Sequence, residues 1–484
     1  MKRRLVPALA ALSIAALFLV FAGPGLRVGF TGDDLMNTYK AWRPPFGEHL
    51  RDSVFFWHHS DSFRPVGSIF YRLLFDRYGL NPVPYRIACY VLILLNLWLA
   101  YGVLRRVSRS QCVAGLAVLL MAYHGQFWGL YTNTGLCYDL LCFFFYAAAF
   151  LYYLRSREHG LPLGWGRVAV WSGLYILALD SKEMAVSLPV VILAYELLDK
   201  APEWRKPLAW VWREGRVPLV GAALTALFIA GRIGAPLGLP SMQAYHPVLS
   251  WRIYLNRTYH YLAFALYEPN WLTAPIAYII LISMVVAALK WRSLPFRLGV
   301  FWTLVGILPV ALIPQRGMDA AYVVAPGFAL SIAAVLAALA GRARLRHRTT
   351  FALTLAALLL IHIKCGRIDF YGLTAPQRQI AAVHDQLRRY APFPRGSHIL
   401  FLRDPLPEHT WNSTFLVYLM TRDPDVSVHR VDRLDEQPLP PEPVPFHAVL
   451  SWDGNRLLEC DASLFRGVST RDIAARTASA VCGH

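Results

Sequence analysis

Charge is scarce in this sequence. Only 16% of its 484 residues are Asp, Glu, Lys or Arg, while 56% are hydrophobic and 13% aromatic. Soluble domains carry about 25% charge, so the shortage excludes an ordinary water-soluble fold. Acid is scarcer than base, 30 residues against 48, giving a net charge of +18. Cysteine is sparse as well: the seven present are not spaced like the ligands of a zinc site. A phosphate-cradling glycine loop, a Ser or Cys nucleophile motif and an internal repeat are all missing, which removes the common nucleotide-binding and covalent-hydrolase readings.

What is present is apolar sequence in long runs. An α-helix needs roughly 20 apolar residues to cross the hydrocarbon core. Windows near 5–24, 86–104, 111–130, 137–154, 167–180, 184–199, 216–236, 272–289, 297–314, 321–340 and 349–363 approach that length. The fold class expected is an α-helical polytopic membrane protein of about eleven spans with a small C-terminal α/β domain. The first run follows Lys2, Arg3 and Arg4; it reads as a retained span, with a cleaved signal peptide as the alternative.

The excess of base does not mark nucleic acid as a partner. Arg105, Arg106 and Arg109, then Arg155, Arg157 and Arg167, then Arg205, Lys206 and Arg213, then Lys290, Arg292 and Arg297, then Arg342 to Arg348 fall in alternate loops. This is the positive-inside pattern of a multi-pass inner or plasma membrane protein. It predicts a cytoplasmic N-terminus and places everything after 363 outside. Residues 1–363 then form the membrane domain, with outward loops at 25–85 and 237–271, and residues 364–484 an extracytoplasmic domain.

Within that tail, "APQRQIAAVHDQLRRY" and "TFLVYLM" read as helices, and "HILFLR", "VSVHRV", "FHAVLSW" and "RLLEC" as strands. "PLPPEPVP" reads as a linker, and a last helix is expected near 470–480. Cys365, Cys460 and Cys482 would face an oxidising compartment; one disulfide among them is open, with its pairing unread. Asn412-Ser-Thr fits a glycosylation acceptor pattern.

Against this background, polar residues beside apolar runs stand out. "TGDDLMNTYKAW" sets Asp33 beside Asp34 just after the first span, although neighbouring like charges oppose each other's ionisation. "LALDSKEMAVSLPVV" inserts Asp180, Lys182 and Glu183 between two short apolar runs. A charge deep in a bilayer costs about 2.5–3.5 kcal/mol, so this segment is either a surface turn tied by a Lys–Glu pair or the lining of a wet cavity. Arg64 precedes Pro65 at the start of an interfacial helix, Arg316, Asp319 and Tyr322 lie between two later spans, and Asn133, Tyr138 and Asp139 reach the same outer face. "WHHSD", with His58, His59 and Asp61, matches no strong ligand motif. No metal site is assigned and no cofactor is required, though a divalent ion stays open.

Taken in order, the acid pair, "FRPVGSIFYRLLFDRYGLNPVPYR", "LALDSKEMAVSLPVVILAYELL" and "PQRGMDAAYVVAPGFAL" resemble the GT-C superfamily of membrane glycosyltransferases. The likeness is to the protein O-mannosyltransferases and their tetratricopeptide-tailed relatives, although this tail has no such repeat. The resemblance implies a sugar delivered on a polyprenyl phosphate and passed, with inversion, to an acceptor hydroxyl on a protein, lipid or glycan. It implies catalytic carboxylates at Asp33 and Asp34, with Asp33 as base and Asp34 as its neighbour or an acceptor ligand. Lys182 and Arg316 would hold the donor phosphate with Arg64 as organiser, supported by Glu183, Asp139, Asn133, Asp319 and Tyr322. A transporter or flippase of a polyprenyl-linked or anionic substrate, and a non-catalytic membrane scaffold, remain as alternatives.

Overall fold

The structure, a computed structural model, describes residues 18–19, 21–57, 64–160, 162–199, 207–234, 247–267, 271–314, 316–407, 411–433, 445–465 and 482–483. The expected first span, the His58, His59 and Asp61 cluster, most of the "PLPPEPVP" linker and the helix expected near 470–480 lie wholly or largely outside those residues.

Helix boundaries follow local chemistry. Helix α1 (Gly32–Trp42) begins with a capping box: the Thr31 hydroxyl accepts from the Asp34 backbone N–H and the Asp34 carboxylate accepts from that of Thr31. Short helix α2 (Phe46–Val54) follows, and α3 (Pro65–Tyr78) starts on a proline, whose missing N–H costs nothing there. Helix α4 (Pro82–Ser108) is capped by the Asn81 side chain and stops at Arg109, which adopts a left-handed backbone with φ 54°. Its Ile87, Val91, Leu94 and Trp98 are exposed along one face, an outward stripe suited to lipid.

The remaining helices of eight or more residues in the apolar region are α5 (Gln111–Tyr123), α6 (Cys137–Glu158), α7 (Trp165–Ser181), α8 (Leu188–Asp199), α9 (Arg216–Gly234), α10 (Trp251–Ala265), α11 (Ala274–Lys290), α12 (Leu294–Gly306), α13 (Ala325–Arg342) and α14 (His347–Leu373). Among the described residues five helices are long and apolar enough to cross a membrane. A sixth is counted if α5 and the turns at Gly125–Thr132, bent by 55°, form one span. Several expected spans are thus interrupted or short. The window 111–130 breaks at His124, and 297–314 breaks after Gly306, just before Leu308-Pro309. The expected loop 237–271 contains α10. Helices α12 and α13 pack closely because a Cβ on Gly299 would fall 2.7 Å from the Gly327 carbonyl oxygen.

The tail holds α15 (Ala375–Leu387), α16 (Asn412–Thr421) and strands β1 (His398–Arg403), β2 (Ser427–Arg430), β3 (Phe446–Trp452), β4 (Leu457–Cys460) and β5 (Cys482–Gly483) in sheet order β2-β1-β3-β4-β5. The first three strands pair in parallel and the last two add antiparallel. A disulfide joins Cys460 to Cys482 across β4 and β5, resolving the pairing. One sheet face has its own small core around Leu400, Val449 and Phe465. The opposite face, through Ile399, Phe401 and Leu450, joins α15, α16 and the helices of the apolar region in a single core. Residue 364, the expected domain boundary, lies inside α14.

Candidate active site

The two neighbouring acids have opposite surroundings. Asp34 is completely buried. One of its oxygens accepts from the Thr31 N–H at 2.8 Å and the other from the Tyr71 hydroxyl at 2.8 Å, and the Arg86 guanidinium stands 4.0 Å away. Arg86 is equally buried and also donates to the carbonyls of Val28 and Gly29. Burial raises the Asp34 carboxyl above its ordinary value despite Arg86 and the hydrogen bonds from Thr31 and Tyr71. Asp34 therefore holds the turn together. Asp33 is exposed, and among the described residues its side chain makes no hydrogen bond or ion pair.

Asp33 faces the turn before α6: a Cβ placed on Gly135 would lie 3.5 Å from its own Cβ. Asn133 organises this turn, its side-chain oxygen accepting from the Gly135 N–H at 2.8 Å and from the Thr31 hydroxyl at 3.3 Å. The first turn of α6 carries Tyr138 and Asp139. Asp139 is buried and grips Lys182 through both oxygens, at 2.6 and 2.7 Å. The adjacent Glu183 turns to Arg64, with contacts of 2.7 and 3.2 Å, and the Arg64 guanidinium lies over the Tyr138 ring. Burial pushes Glu183 up, but Arg64, joined by Arg232 and Lys182, outweighs it and holds the carboxyl down to about 2. Lys182 and Glu183 are thus not paired with each other. Each ties the α7–α8 turn to a different element.

Two charged groups join this cluster that the sequence reading did not assign to the site. Arg232, near the end of α9, is buried beside the Phe228 ring and interacts electrostatically with Glu183, Arg64 and Asp180. Asp180 is fully buried in the last turn of α7, and its carboxylate oxygens accept no hydrogen bond among the described residues. The available signal for Arg232 was a lone cation inside "ALTALFIAGRIG", at the end of the span opposite its basic loop.

Arg316 is half-buried on the approach to a short 3₁₀ segment (Met318–Val324) and interacts with Tyr261 on α10, as does Arg257. Asp319 packs on Gly129 and accepts from the Leu130 N–H. Tyr322, expected as a supporting site residue, is buried edge-on against Phe143 and Phe127. Tyr261, which interacts with Arg316, also lines a small apolar recess together with residues that include Leu262, Met284, Leu304, Met318 and Phe328.

Comparison with solved structures bears on this arrangement. The chain matches the crystal structure of ArnT from Cupriavidus metallidurans bound to undecaprenyl phosphate, with a TM-score of 0.53 over 92% of this chain and 93% of that one. The two chains share a fold. Identity is 13%, so what is common is the architecture. No family model matches the chain, and no curated protein matches it.

Proposed function

We propose that this protein is a membrane glycosyltransferase that moves a sugar from a polyprenyl-phosphate donor to an acceptor hydroxyl on the extracytoplasmic face, with inversion. The observation that carries the reading is the division of labour at the acid pair. An exposed carboxylate without a partner among the described residues is held by a buried, fully engaged neighbour at the edge of a cluster of cations. A turn that needed only a cap would be served by Asp34 alone. The likeness in fold to ArnT, crystallised with undecaprenyl phosphate, supports a polyprenyl donor.

On this reading the acceptor oxygen attacks the anomeric carbon from the face opposite the phosphate, and the bond from that carbon to the phosphate oxygen breaks. Asp33 takes the hydroxyl proton once it lies within about 2.6–3.2 Å of that oxygen. Negative charge gathers on the departing lipid phosphate, where Lys182 and Arg316 stabilise it. Arg64 orders the site through Glu183, and Asp139 orients the Lys182 ammonium. Asn133 and Asp34 fix the turn that bears the base, and Asp319 buttresses the segment after Arg316. The reading requires no metal. It places residues 1–363 in catalysis and the segment from 364 outside the membrane.

The test is to supply purified protein in lipid with labelled polyprenyl-phosphate sugars and hydroxyl acceptors. Transfer by the parent and its loss in Asp33→Asn are expected. Donor that crosses the bilayer unaltered, without transfer, would favour the transporter reading instead.

A further inference from the structure

We propose that Asn412, in the tail, is a positioning residue for Asp33, so that the tail completes the catalytic unit. The inference rests on the reading of Asp33 as the base. A Cβ on Gly32, the residue before Asp33, would collide with the Asn412 carboxamide, falling 2.9 Å from its Nδ2 and 3.0 Å from its Cγ. A side chain at 32 would therefore have to displace the buried Asn412 carboxamide, although alanine is otherwise favourable in a helix. Asn412 is 3% exposed, and its carboxamide oxygen accepts no hydrogen bond among the described residues. Leaving a buried amide oxygen in that state is costly. The same burial removes Asn412 as a glycan acceptor in the folded protein.

Two further contacts show that this is a built junction. Tyr39 of α1 stacks on Phe415 and Tyr418 of α16, at 4.7 and 5.3 Å between ring centres. At the other end of α16, Arg422 donates to the Phe75 carbonyl and covers its ring. Helix α16 is in turn fixed to the sheet. Buried Asp404, just after β1, accepts from the Ser413 hydroxyl and the Leu406 N–H and pairs with buried Arg430 of β2. The turn bearing Asp33 is thus bonded to Asn133 and Asp34 through Thr31 and closely approached by Asn412 at Gly32.

Geometry of this kind is tested by compensation. Gly32→Ala drives a methyl into the Asn412 amide, and a displacement of about 1 Å at a base lowers turnover by about 100-fold. Asn412→Ala alone removes the contact and should lower turnover as well, whereas in the double variant the added methyl fills the space the carboxamide leaves, so its turnover is expected to rise above that of either single variant. Donor affinity should stay level in all three variants. A Gly32→Ala protein with parental turnover, or a double variant no better than Gly32→Ala, would overturn the proposal. A second readout is independent of catalysis: with Asp33→Cys as probe, the labelling rate by a membrane-impermeant thiol reagent should change in Gly32→Ala and return in the double variant. If the parent transfers no sugar but labelling follows this pattern, the function reading fails while the junction stands. If labelling is the same in every background, the junction does not set position 33. Should Gly32→Ala fail to fold, recovery of folded protein in the double variant supports the contact, and failure of both refutes it.

Discussion

Replacing the two adjacent acids one at a time should give opposite phenotypes. In Asp34→Ala the Tyr71 hydroxyl and the Thr31 N–H each lose an acceptor, and buried Arg86 loses its counter-charge. Breaking a buried pair by removing one partner costs about 3–5 kcal/mol. Loss of the capping contact falls within the same change, at about 1 kcal/mol when measured alone. Asp34→Asn keeps the shape and one acceptor but turns an amide N–H toward groups that are themselves donors, at a cost of about 1–3 kcal/mol. Asp33 has no partner among the described residues, so Asp33→Asn should shift stability by no more than about 0.5 kcal/mol. Its cost should fall on the reaction, where loss of a general base lowers rates by about 100- to 10,000-fold. Melting temperature in detergent and transfer of labelled sugar, measured on the same preparations, separate the two. The reasoning is refuted if Asp34→Ala is as stable as the parent, or if Asp33→Asn retains near-normal turnover.

Other expectations follow from the same contacts. Lys182→Ala and Arg316→Ala should weaken use of the donor more than use of the acceptor, since both are assigned to phosphate; a selective rise in acceptor KM would count against that. Glu183, held down to about 2 once Arg64, joined by Arg232 and Lys182, outweighs burial, lends stability above its unfolded value and loses it as pH falls through the folded one. The difference in melting temperature between parent and Glu183→Gln should therefore be full at about pH 6 and shrink by about pH 3, and a gap indifferent to pH would be contrary. For the topology, a cysteine at exposed Arg395 should react with an impermeant reagent in intact cells, whereas protection until lysis would put the tail inside.

The parts of this molecule legible in sequence are those decided locally. The strands at 398–403, 427–430, 446–452 and 457–460 show as apolar stretches bounded by turn residues, and the structure has them. Counting apolar residues found most of the long helices but not their interruptions, because a window average is blind to Gly125 or Pro309. Helix α10 escaped because arginines, tyrosines and a histidine dilute its apolar face. At the site, the outward acids and cations could be collected but not paired. Lys182 and Glu183 look like partners in the chain, yet their contacts lie 43 residues away at Asp139 and 119 residues away at Arg64. The distinction between Asp33 and Asp34 likewise depends on Tyr71 and Arg86, which only folding brings to the turn.

The pairings also bear on how a charged headgroup can be accommodated where water is scarce. An ion removed from water costs several kcal/mol, so a row of bare cations waiting for a phosphate would destabilise the protein that holds it. Here Lys182 and Arg64 each have an acid, and Arg232 lies within reach of Glu183 and Asp180. The site is thereby kept near neutrality while its cations are already aimed. An ammonium has three donors, and Asp139 engages two. On the proposed reading a phosphate oxygen takes the third without separating the pair, and its charge is met by groups that need not reorganise as the lipid leaves. Preorganisation of this kind favours the transition state over the bound donor, because charge on the phosphate increases as the glycosidic bond breaks. The acids beside the cations are then part of the machinery for an anion: they make it affordable to hold positive charge in place before the anion arrives.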